Sequence, residues 1–125
     1  PYAYYMRVTD LLAFIQEITP ALEARLADTP FDYYTGEVIL GFYRDGIKLV
    51  FKNGHLEAIN KIDLDALRDA TARFPGLTFL QLLFGYRSMD ELEHAYADCF
   101  AKKEENKNLI NTLFPKRSSD VWPIS

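Results

Sequence analysis

Two dipeptides, Asp45-Gly46 and Asn53-Gly54, stand close together inside a stretch from Gly36 to Asn60 that alternates apolar and polar residues. Asp-Gly and Asn-Gly are the pairs that two-residue hairpin loops favour, because such loops need positive φ. The stretch therefore predicts a three-stranded antiparallel meander. With each dipeptide in a two-residue loop, Phe42 is expected opposite Leu49, Leu40 opposite Phe51, and Phe51 opposite Leu56. One face then collects Val38, Leu40, Phe42, Ile47, Leu49, Phe51, Leu56 and Ala58, and a slip of one residue would scatter that set over both faces. The other face carries Ile39, Gly41, Tyr43, Lys48, Val50, Lys52, His55, Glu57 and Ile59. It is too apolar along its first strand for open solvent and too charged for a core. Either a second domain or subunit partly covers it, or it is a surface with ordinary exposed aromatic and aliphatic side chains.

Around the meander the periodicity changes. Tyr4 to Val8 is rich in strand formers, and Thr9-Asp10 offers an N-cap before an apolar stripe at Leu11, Ile15, Ile18, Leu22 and Leu26. Pro20 falls inside that stripe, so Thr19-Pro20 predicts a kink or a helix restart, and Asp28-Thr29-Pro30 ends the unit. Beyond the meander, Asp69 to Phe74 reads as a short strand. Pro75-Gly76 turns the chain into Leu77 to Phe84, apolar almost all round and expected to be a buried helix. Gly85 suits the position that closes it, and Ser88 with Glu91 forms a capping box for a helix through Leu92 and Tyr96. Ala97 to Ala101 reads as a returning strand and Glu104 to Phe114 as a last helix stopped by Pro115. Lys116 to Ser125 is an irregular tail holding the one tryptophan, Trp122.

At 125 residues with 49% hydrophobic side chains, one domain spanning the whole chain is expected. A formal net charge of -4 argues against a nucleic-acid surface, which needs concentrated Lys and Arg. Cys99 is the single cysteine, so the fold must stand on packing, as in a reducing compartment, and a cytoplasmic location is expected. No apolar run approaches the roughly 20 residues that span a bilayer. The chain opens on Pro1 and moves at once into an aromatic segment, which reads as a linker entering the last domain of a longer protein; the alternative is simple removal of an initiator methionine.

The residues offer little free-standing chemistry. Gly41 to Lys48 has a superficial phosphate-loop spacing, but its Lys is displaced by one and no Ser or Thr follows. His55 and His94 are far apart, and a metal would need further ligands at workable spacing. Cys99 lies in an apolar setting that favours a buried structural thiol over a nucleophile. The carboxylates sit where helices need solvated faces or caps, and none makes an acid and base pair. Phe42, Leu49, Phe51, Phe79 and Leu83 are the residues that would wall an apolar ligand cavity between sheet and helices; the alternative is plain core.

The order of elements, strand, helix, meander, strand, buried helix, helix, strand, helix, resembles the sterol-carrier-protein fold. That is an α+β architecture with a mainly antiparallel twisted sheet and helices packed on one face. More specifically, Leu80-Gln81-Leu82-Leu83-Phe84-Gly85-Tyr86-Arg87-Ser88, then Asp90-Glu91-Leu92 and Leu113-Phe114-Pro115, resemble the C-terminal domain of GNAT acetyltransferases of the enhanced-intracellular-survival type. Arg7-Val8 leading into Leu11-Leu12 matches that domain's entry. The resemblance implies upstream acetyltransferase domains in the same chain, with acetyl-CoA bound there and no cofactor in this domain, whose sequence lacks the CoA loop. It also implies that the C-terminal carboxylate, here that of Ser125, reaches into the acetyl-transfer site as general base, with Trp122 anchoring the tail. The other readings are a binding module for a lipid, a sterol or another apolar small molecule, and a structural domain forming homo-oligomers through the mixed sheet face.

Overall fold

Alternation in the central third of the chain produces the sheet, and the flanking segments of helical period cover it. The computed structural model describes residues 8–43, 45–63, 65, 70–75 and 78–116. Its elements run α1 (Val8–Glu17), α2 (Thr19–Leu26), β1 (Gly36–Gly41), β2 (Asp45–Lys52), β3 (His55–Asp63), β4 (Ala72–Arg73), α3 (Thr78–Leu83), α4 (Met89–Ala95), β5 (Phe100–Ala101) and α5 (Glu104–Leu113). The five strands form one sheet in the order β3-β2-β1-β4-β5, with β1 and β4 parallel and the other neighbours antiparallel. The chain is thus α+β with a mixed, mainly antiparallel sheet.

Val38, Leu40, Ile47, Leu49, Phe51 and Ala72 project from one face of the sheet into a core completed by Leu11, Ile15, Leu22, Leu26, Leu82, Ile110 and Leu113 from the helices. Along the stripe Leu11, Ile15, Leu22 and Leu26 are buried and Ile18, between the two helices, is partly buried, and the helix restarts where Thr19-Pro20 requires, with Pro20 in the first turn of α2. The cap is Ile18 rather than Thr19, whose hydroxyl instead donates back to the carbonyl of Ile15 at 3.1 Å. Val8 opens α1, so the expected strand does not extend to it and Thr9-Asp10 falls within the helix rather than before it. The amphipathic pattern from Leu11 onward outweighs the strand propensity of a single valine. The rest of that expected strand, residues 4–7, lies outside the described residues.

The second hairpin forms as read, with Asn53 and Gly54 at φ 52° and 82°, Lys52 opposite His55 and Phe51 opposite Leu56. The first does not. Leu49 faces Val38 instead of Phe42, and Ile47 faces Leu40, a displacement of four residues along β1. The turn closes between Phe42 and Asp45, whose carbonyl accepts from the Phe42 N–H at 2.7 Å, and Asp45 and Gly46 are strand residues paired with Asp63 and Ile62. Pairing along the whole of β3 overrides the local turn preference of Asp-Gly. A β-bulge between Val50 and Phe51 then changes the faces of β3: Ile59 opposes Leu49 and packs on the core, whereas Ala58 opposes Val50 on the other face. The expected positions of Ala58 and Ile59 are therefore exchanged.

Candidate functional site

Leu80–Ser88 and Asp90–Leu92, which follow one another across Met89, meet the distant Leu113–Pro115 at one corner of the fold. α3 ends in a Schellman motif: Gly85 adopts φ 77°, its N–H donates to Leu82 O at 3.0 Å, and the Tyr86 N–H donates to Gln81 O at 2.8 Å. Three residues past Gly85, Ser88 opens α4 with the expected capping box. Its Oγ accepts from the Glu91 N–H at 3.2 Å, and Glu91 Oε1 accepts from the Ser88 N–H at 2.9 Å. A helix end and a helix start are thus satisfied within one short turn, which fixes the angle between α3 and α4.

The last turn of α5 packs into that angle. Asn111 Oδ1 accepts from the Met89 N–H at 2.8 Å, and the Phe114 ring lies edge-on to Phe79 at 5.5 Å. Lys116 Nζ donates to Glu91 Oε2 at 2.8 Å, so one carboxylate both caps α4 and holds the residue that follows α5 and Pro115. The Lys116 ammonium and the Ser88 N–H together hold the Glu91 carboxyl below the usual carboxylate range. From α2, Arg25 donates to the carbonyl of Leu113 at 2.7 Å and so satisfies one of the orphan acceptors at the end of α5. On the solvent side Tyr86 is 57% exposed and Tyr96 36%. Tyr96 accepts from Gln81 Nε2 at 3.2 Å and lies under Arg87 at 5.9 Å, and Phe84 bridges Phe14 and Tyr86. A second polar cluster on the same helices is structural: Lys107 Nζ sits 2.8 Å from Glu93, 3.2 Å from Asp90 and 3.6 Å from Glu104, and these carboxylates raise its pKa.

Of the residues singled out from sequence, Phe42, Leu49, Phe51, Phe79 and Leu83 are all buried in the core. Phe79 is ringed by Phe42 at 5.5 Å, Phe74 at 5.1 Å and Phe114 at 5.5 Å. An apolar guest between sheet and α3 would have to displace that ring. Ser125 lies outside the described residues. Cys99 is buried, and burial with the nearby Glu93 pushes its thiol up to about 12, far from a nucleophile's range. His55 stands beside Glu23 at 3.7 Å and His94 is exposed on α4. Among the described residues no His, Cys, Asp or Glu group is arranged to hold a metal, and no helix is long and apolar enough to cross a membrane. Arg25, Asn111 and Lys116 are the corner's unforeseen contributors. Each acts on an element distant in sequence, so no local pattern marks them.

Comparison with protein-family models, with curated proteins and with solved structures finds no match to this chain.

Proposed function

We propose that this domain is the accessory, sterol-carrier-like part of a cytoplasmic GNAT N-acetyltransferase. In this reading it helps to form the acceptor pocket and presents the chain's C-terminal carboxylate to an acetyl-transfer site in upstream domains, where acetyl-CoA binds. The observation that carries the reading is the approach of Leu113–Pro115 to the Leu80–Leu92 stretch, next to the point from which the last nine residues depart. The order of elements from the first helix through the meander, β4, α3, α4, β5 and α5 supports the sterol-carrier comparison.

The chemistry asked of the terminus is modest. A carboxylate within hydrogen-bond reach of an amine accepts its proton as the amine nitrogen attacks the thioester carbonyl. The decisive assay is acetyl transfer to amines by the intact protein with and without the residues after Lys116. Loss of transfer with retained acetyl-CoA binding is expected, and an unchanged rate in the truncated protein removes the carboxylate from the mechanism.

A further inference from the structure

We infer that Arg25 and Lys116 form a two-point clamp that fixes where, and in which direction, the chain leaves α5, which makes them positioning residues for whatever the final segment delivers. The inference rests on the proposed function for its consequence in catalysis, but the clamp itself stands on geometry. Helix C-termini fray because their last carbonyls lack partners. Here the carbonyl of Leu113 is taken by a guanidinium from α2 at 2.7 Å, and three residues later the Lys116 ammonium is tied to Glu91 at the start of α4 at 2.8 Å. Pro115, between the two, has its φ fixed by its ring and donates no N–H. The exit is therefore held from two sides, by elements that are not neighbours in sequence.

The two points differ in kind, and this separates them experimentally. Both partners of the Lys116–Glu91 pair are about half exposed, at 49% and 45%, so salt screens the pair and its contribution is small. The Arg25 contact to Leu113 is partly buried and made to a neutral carbonyl. Glu91 also caps α4, but Gln serves the same capping role. Glu91→Gln therefore removes the ion pair while leaving the helix start intact.

The test uses a fluorophore on a cysteine introduced by Ser119→Cys, which labels selectively because Cys99 is buried with its thiol pushed up to about 12. Steady-state anisotropy is expected to fall in Lys116→Met, Glu91→Gln and Arg25→Met, and to be restored in Lys116→Arg. Added salt at about 0.5 M reproduces the Lys116→Met value. In unlabelled intact protein, kcat for acetyl transfer falls about twofold to fivefold in Lys116→Met, the range expected of an exposed pair, with KM for acetyl-CoA unchanged. Helix content by circular dichroism guards against unfolding of Arg25→Met. Equal anisotropy in wild type, Lys116→Met and Arg25→Met overturns the clamp, whatever the enzyme assay returns. A rate lost on truncation but indifferent to Lys116→Met and Arg25→Met overturns their positioning role and leaves the proposed function standing. A rate indifferent to truncation overturns that function, and with it the role in catalysis.

Discussion

Phe79→Ala tests whether the space between sheet and α3 is core or cavity. The side chain is 2% exposed and touches the rings of Phe42, Phe74 and Phe114. Truncation returns roughly 100 Å² of apolar contact area to account for, which at about 25 cal/mol per Å² is about 2.5 kcal/mol. If half of a lost volume of roughly 100 Å³ remains as a void, the cavity adds about 1 kcal/mol. The lost edge-on ring contacts add about 0.5 kcal/mol or more beyond area, for a total of about 4 kcal/mol. That lies inside the range of about 3–5 kcal/mol typical of Phe→Ala in cores. Equilibrium urea denaturation followed by circular dichroism reads the change as a lower midpoint at constant slope. Phe100→Ala, at a ring that is 43% exposed on the opposite side of the sheet, is the control and is expected to cost under about 1 kcal/mol. A loss below about 1.5 kcal/mol for Phe79→Ala refutes the packing argument and favours a cavity that already tolerates empty volume there.

Four further outcomes follow from the same structure. Gly54→Ala places a Cβ against the backbone carbonyl of Asp32 at φ 82° and is expected to cost about 2 kcal/mol or more by denaturation; a near-neutral result means that the 28–35 loop does not lie where described. Ser88→Ala removes one half of the capping box and should lose about 1 kcal/mol, with Ser88→Asp recovering most of it; equal stability of all three proteins contradicts the cap. Native Cys99 should react with an aromatic disulfide reagent at pH 8 only at the rate of local opening, and at once in denaturant, whereas prompt reaction in the native protein would show an accessible thiolate. Because the Glu91 carboxyl is held below its ordinary value, its contribution is present above the unfolded carboxylate's pKa and is lost as pH falls through the lower folded value. Lys116→Met should therefore lower stability slightly at neutral pH and leave the acid end unchanged, so that the acid limb of a stability profile flattens.

Legibility from sequence followed the range of the interaction that decides each element. The Asn53-Gly54 hairpin, the Gly85 stop and the Ser88–Glu91 box are settled within a few residues, and each forms as the sequence indicates. The first hairpin is different. Alternation tests only whether a residue points up or down, and the observed register departs from the expected one by four residues, an even number, so the apolar set of β1 and β2 keeps its face in both. What chooses between them is the partner strand, because β2 pairs with β3 as far as Asp45 and Asp63 and leaves Asp45-Gly46 no role as a loop. The bulge that moves Ile59 inward is likewise a property of two strands together. The corner's clamps and caps, Arg25 on Leu113, Asn111 on Met89 and Lys116 on Glu91, join helices whose sequences carry no sign of one another.

Leu82 and Leu83 are core, Gly85 supplies the positive φ that ends α3, and Ser88 caps α4, so these residues answer to the fold alone. Any buried helix turning sharply into a second helix would want them. Tyr86 and Arg87 are not required by the turn in that way: only the backbone of Tyr86 takes part in the Schellman motif, and the Arg87 guanidinium lies over Tyr96 on the surface. The local folding roles of the Leu80–Ser88 block therefore support the architecture, and evidence for an activity has to come from what the corner holds besides them. What it holds is the end of α5, fixed by Arg25 and by a Glu91 that caps one helix while tethering the residue after another.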